Sequence, residues 1–218
     1  MRNLMWLASF ALWACSSGPK YKVDDNLVTS ATVDEKKGMF AAANDVNVAK
    51  AELAQAKSEL DVAERDDDIA SNEYKAAKLQ KDSAKLQLET AKQSGDMNRR
   101  NQAERDLHVA EMGVKATDAK VDWMDKKVKW LKKTRDAAEY HLASAQARYE
   151  LEKAKILSAK GIRPTADFQI MNFETQDLES SRKYSECRLD ADKRKADVLD
   201  LERKYTSLNE QYTQAKAH

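Results

Sequence analysis

Few residues of this chain could carry chemistry: the cysteines Cys15 and Cys187, the histidines His108, His141 and His218, and the acidic run Asp66-Asp67-Asp68. A catalytic or metal site needs such groups to converge, and their spacing argues against it. The histidines are scattered and read as surface or helix-flank side chains. Three adjacent aspartates on a helix point in different directions, and the turn glycine and bidentate glutamate of a calcium loop are missing. There is no Gly-rich phosphate loop, no His-Glu-x-x-His, no cysteine pair at metal spacing and no nucleophile beside a base. The chain is therefore expected to be non-enzymatic, with no metal, no bound cofactor and no small-molecule substrate.

Cys15 is the exception, because of what precedes it. Arg2 is the only charge ahead of it, and Leu4, Met5, Trp6, Leu7, Ala8, Phe10, Ala11 and Leu12 form a nearly continuous apolar run. About ten apolar residues are too few for a permanent membrane span, which needs roughly twenty, so the run reads as an export signal. Leu12-Trp13-Ala14-Cys15 resembles a bacterial lipoprotein signal, although Trp13 is bulky for its place. The resemblance implies diacylglyceryl attachment to the Cys15 thiol, cleavage after Ala14 and acylation of the new amino terminus. Two or three acyl chains anchor stably where one would not. It also implies a place in the bacterial cell envelope. In lipoproteins of that kind an Asp after the Cys favours inner-membrane retention, so with Ser16 there the resemblance implies the outer membrane, with the chain facing the periplasm or the cell surface. With Cys15 lipidated, Cys187 has no intrachain partner and reads as a small apolar seam residue, with an intermolecular disulfide as the alternative.

The elements that would carry this anchor are written in the composition. Of 218 residues 34% are charged and 7% aromatic, and 5 Gly with 2 Pro leave little material for turns. Removal of residues 1–14 takes Arg2, leaving 37 Lys+Arg against 37 Asp+Glu, so the mature chain is neutral. Interspersed signs give no net attraction to nucleic acid or to an anionic surface. Cys15 and residues 16–31, polar and containing Gly18 and Pro19, read as a lipidated end and flexible tether. A capping box, Thr32-Val-Asp-Glu35, places a helix start near Val33.

From Met39 the heptad is regular. Its a positions are Met39, Val46, Leu53, Leu60, Asp67, Tyr74, Lys81 and Leu88, and all eight d positions from Ala42 to Ala91 are alanine. A sustained seven-residue repeat implies a left-handed supercoil, and methyl side chains let a partner helix approach closely. The pattern looks like the alanine-rich antiparallel pairing called an Alacoil. Its phase breaks at Gln93-Ser94-Gly95-Asp96, as at a hairpin with Asp96 as the next N-cap. A second seam runs from Ala103 through Leu107, Val114, Val121, Met124, Val128, Leu131, Ala138 and Ile156 to Ala159. Gly161 and Pro164 then give a stop and restart signal. A hairpin is preferred there, and a kink in one long helix is the alternative. The predicted fold is an all-α, elongated, antiparallel three-helix coiled-coil bundle over residues 32–218, with helices at about 33–94, 97–160 and 164–216.

Folding about these two turns sets charged residues opposite one another: Lys81 with Glu111, Asp67 with Lys126, Arg135 with Asp190, and Arg148 with Asp177. All four pairs are opposite in sign and are expected to set register more than stability. Trp123 and Trp130, one heptad apart, are expected to pack on the third helix. Otherwise they form an exposed aromatic pair for a partner, to which the Gly161–Pro164 end would also be offered. Residues 148–168, RYELEKAKILSAKGIRPTADF, resemble the helical hairpins of efflux adaptors and outer-membrane channel tunnels. Leu151 and Ser158 keep the adaptor spacing, while Arg148 is one residue too close. The function expected is a membrane-anchored, non-enzymatic scaffold, spacer or docking rod. Its partners would be the membrane, through the lipid, and envelope proteins or a second copy, through the coiled coil. A surface adhesin and an accessory of an outer-membrane transport channel are the alternatives.

Overall fold

The computed structural model describes residues 18–217, which form three long α-helices and no strand. Helix α1 spans Lys37–Ser94, α2 Met97–Ala159 and α3 Ile170–Ala217. α2 is the shared member. The outer helices each pack antiparallel on it, and no Cα of α1 lies within 8 Å of one of α3. At ~1.5 Å per residue α2 is roughly 95 Å long.

All eight seam alanines of α1, Ala42, Ala49, Ala56, Ala63, Ala70, Ala77, Ala84 and Ala91, are buried, together with Met39, Leu60 and Leu88. Each offers only a methyl group, so the α1–α2 interface is thin and continuous. At its turn Gly95 takes φ 69°, and the Asp96 carboxylate accepts from the N–H groups of Asn98 at 2.9 Å and Arg99 at 3.2 Å. Orphan donors of α2 are thereby satisfied, as the N-cap rule requires.

The turn after α2 is a Schellman motif and not a kink. Ile162 N–H donates to the Leu157 carbonyl at 2.9 Å and Gly161 N–H to that of Ser158 at 3.1 Å, with Gly161 at φ 68°. α3 begins at Ile170, later than the restart expected at Pro164. The intervening residues cross the end of the bundle and seat Ile162, Phe168 and Ile170 against a buried cluster. α1 likewise begins at Lys37, not Val33. The capping box forms, with Thr32 N–H donating to Glu35 at 2.7 Å and Glu35 N–H to the Thr32 hydroxyl at 3.3 Å, but it closes a separate turn ahead of the helix.

Residues 18–31 correct the expectation of a flexible tether. They form a strap containing one 3-10 turn, Asp25–Val28. Val23, Val28 and Ala31 join Met39, Leu151, Ala154, Ile156, Leu157 and Phe173 in a compact core at the Gly161 end. Burying Val23 and Val28 is worth roughly 1.5–3 kcal/mol each over leaving them in water. That apolar gain is why the polar composition of the segment misleads.

Candidate functional site

The strap is closed by a charged clamp that the sequence reading missed. Glu150 and Lys153 lie on α2 and are almost fully covered. Val23 N–H donates to Glu150 Oε2 at 2.7 Å. Lys153 Nζ donates to the Val23 carbonyl at 2.7 Å and to Asp25 Oδ1 at 2.8 Å, and pairs with Glu150 at 2.9 Å. One lysine thus satisfies backbone and carboxylate on the strap while neutralising its own neighbour. Burial pushes the Lys153 ammonium down, but its bonds and charge interactions with Asp25 and Glu150 outweigh this and hold it above the ordinary lysine value. Burial, then the Asp25 charge, pushes the Tyr149 hydroxyl up. The sequence offers only an i, i+3 acid–base pair there, flanked by the equally charged Glu152 and Lys155, and nothing in it marks Glu150 and Lys153 as the buried ones.

Further along α2 a second seam faces α3. Gly113, Ala116, Trp123, Trp130, Ala137, Ser144 and Leu151 fall on it, six of them at strict heptad spacing. A Cβ on Gly113 would come within 3.0 Å of the Tyr212 ring. Trp123 stacks on Tyr205 with centroids 5.4 Å apart and planes 14° apart. Its Nε1 is buried without a hydrogen-bond partner. Trp130 packs against Leu60, Ala63, Val128 and Leu131, with Lys195 Nζ 5.8 Å from its ring. Both tryptophans are half-buried between helices. His141 joins all three helices: its ring stacks on Tyr184 at 4.5 Å, and Nδ1 lies 2.6 Å from Glu52 Oε2. Gly161 and Pro164 are exposed, at the same end as the strap and not at the opposite tip.

The charged pairs follow the register only in part. Lys81 and Glu111 meet at 3.8 Å. Asp67 does not pair with Lys126; it faces Asp125, with Lys129 and Lys132 near, and its carboxyl is raised by burial and then by Asp125 and Asp68. Asp190 pairs with Lys133 at 3.8 Å and Arg194 at 3.4 Å, not with Arg135, which turns instead to Asp136 at 2.7 Å. Arg148 acts on Asp177 through space without forming an ion pair, and burial raises the Asp177 carboxyl, whose Oδ1 has no hydrogen-bond partner. Opposite position on a helix pair does not choose among long side chains one or two residues apart. At Arg135 the nearer partner on the same helix, Asp136, wins.

Cys187 is half-buried and free, its thiol raised by burial. Among the described residues no three His, Cys, Asp or Glu side chains converge as a metal site would require. No helix among them is long and apolar enough to cross a membrane. The segment 1–14, Cys15 and residues 16–17 lie outside the described residues. No family model matches the sequence, and neither a curated protein nor a solved structure was found similar to it.

Proposed function

We propose that this chain is a lipid-anchored coiled-coil rod of the bacterial envelope, tied to the membrane through Cys15 and acting without catalysis as a scaffold. The observation that carries the reading is the way the described chain is spent. Interior positions go to packing helix on helix, and the side chains with chemical potential, His141, Trp123, Lys153 and Glu150, are engaged in holding helices or strap together. What remains outward is long helix surface. It includes Val48, Val62 and Ile69 on α1 and Leu178, Leu189 and Leu199 on α3, all exposed. An elongated surface of this kind suits lateral contact with other envelope proteins better than enclosure of a ligand. The lipoprotein-like Leu12–Cys15 sequence supplies the anchor.

The test is growth with an alkyne fatty acid, followed by fractionation of cells expressing the wild type or Cys15→Ser. Acylation and membrane recovery that both disappear in Cys15→Ser support the reading. An unacylated wild-type chain would sink it. Protease shaving of intact and permeabilised cells then separates the two sides. Cleavage in intact cells favours surface assembly or adhesion, and protection until permeabilisation favours a periplasmic scaffold.

A further inference from the structure

We infer that the rod lies along the membrane instead of standing on its Gly161–Pro164 end, with Lys20, Lys22 and Lys183 against anionic phospholipid headgroups. The inference rests on the anchor proposed above and adds an orientation that an anchor alone does not set.

The first argument is reach. Three residue steps separate Cys15 from Gly18, at most about 11 Å when fully extended. Gly18 is not at the end of the rod. It sits on its flank beside Gln146, thirteen residues before Ala159, or roughly 20 Å along the axis. From there the strap runs toward the end, passing Glu150 at Val23 and Lys160 at Ser30. Its beginning is fastened: Tyr21 N–H donates to Gln176 Oε1 at 2.9 Å, Gln176 Nε2 donates back to the Tyr21 carbonyl at 3.3 Å, and the Tyr21 ring lies 5.8 Å from that of Phe173. A bilayer surface at the Gly161–Pro164 turn would be about twice as far from Gly18 as Cys15 can extend. A bilayer alongside the flank is within reach.

The second argument is charge. Gly18, Lys20, Tyr21 and Lys183 line one groove between α2 and α3, in which Glu179 is the acid. The Lys22 ammonium comes to the same place, beside Gly18. Lys20, Lys22 and Lys183 are exposed and, among the described residues, join no ion pair. The mature chain as a whole is neutral, so this local excess of cations falls where the anchor emerges. Lysines held within a Debye length of an anionic leaflet are attracted to it.

The test uses the full lipoprotein extracted from membranes and reconstituted in vesicles of phosphatidylethanolamine and phosphatidylglycerol at 3:1. A donor dye on Gln93→Cys, at the far tip, in a Cys187→Ser background, reports energy transfer to acceptor-labelled lipid. Mass spectrometry first confirms acylation of Cys15. An acylated protein with strong transfer from the tip supports the inference. Transfer should fall several-fold when Lys20, Lys22 and Lys183 are all changed to Glu, and again when a flexible twelve-residue Gly-Ser insert is placed between Ser17 and Gly18. An acylated wild type with no tip transfer would overturn the inference while leaving the anchor standing. Absence of acylation would remove both. Unchanged transfer after charge reversal would overturn the role of the lysines, with circular dichroism showing that the variant is folded.

Discussion

Lys153 donates its ammonium proton to the carbonyl of Val23 across 2.7 Å and 130 residues of chain. That bond, with those to Asp25 and Glu150, makes the strap part of the folded body. Lys153→Met should therefore cost about 3–5 kcal/mol, because Glu150 is left buried without its counter-charge. The double variant Lys153→Met, Glu150→Gln should recover part of the loss. Urea unfolding measures both, and a loss under 1 kcal/mol for the single variant would show that the clamp is incidental.

The same lysine gives a pH dependence. Its folded value lies above the ordinary 10.5, so its stabilisation is fully present below the unfolded value and is lost as pH rises through the folded one. Unfolding free energy of the wild type should fall toward that of Lys153→Met only in strongly alkaline solution. Convergence of the two curves near neutral pH would contradict this.

Asp67 carries the opposite sign. Its carboxyl is raised in the folded state by burial and by Asp125 and Asp68, so ionisation at neutral pH destabilises the rod. Asp67→Asn should stabilise it by a few tenths of a kcal/mol at pH 7. The gain should shrink as pH falls through the raised folded value and be gone below the ordinary 3.8. Thermal melts at pH 7 and pH 3 check both halves.

Trp123 and Tyr205 stack across the α2–α3 seam. A double-mutant cycle to alanine should return a coupling of about 0.5–1.5 kcal/mol. Zero coupling would mean that the rings are near each other without binding α3 to α2.

Ala63 is 1% exposed in the thin α1–α2 seam. Ala63→Leu should cost about 1–3 kcal/mol by forcing the helices apart. Val62→Ala, one residue away on the exposed face, should stay within ~0.5 kcal/mol. Equal effects at the two positions would refute the seam assignment.

The all-α three-helix architecture, both turns and the α1 seam were legible because a seven-residue repeat leaves little freedom. Once Ala42 to Ala91 face one way, Gly95 and the phase slip settle where the chain reverses, and Lys81 meets Glu111. α2 was only half legible. It serves two partners: the pair Trp123 and Trp130 marked the α3-facing row, and Trp123 does stack on Tyr205 of α3, but the rest of that row was hidden beside the row through Met124 and Leu131, since adjacent seams on one helix blur each other's period. The clamp was illegible for a different reason. Val23, Val28 and Ala31 follow no repeat, and a partner such as Glu150 is found only through tertiary contact.

The strap also sets an order of events. Tyr21 and Val23 precede their partners Gln176 and Glu150 by 155 and 127 residues, so they leave the ribosome, and any export channel, long before those partners exist. The two helical hairpins assemble from neighbouring segments, whereas the strap must wait for α2 and the start of α3. Its docking is then the last step of folding, and the Gly161 end of the molecule takes its final shape only after the rest of the rod is complete.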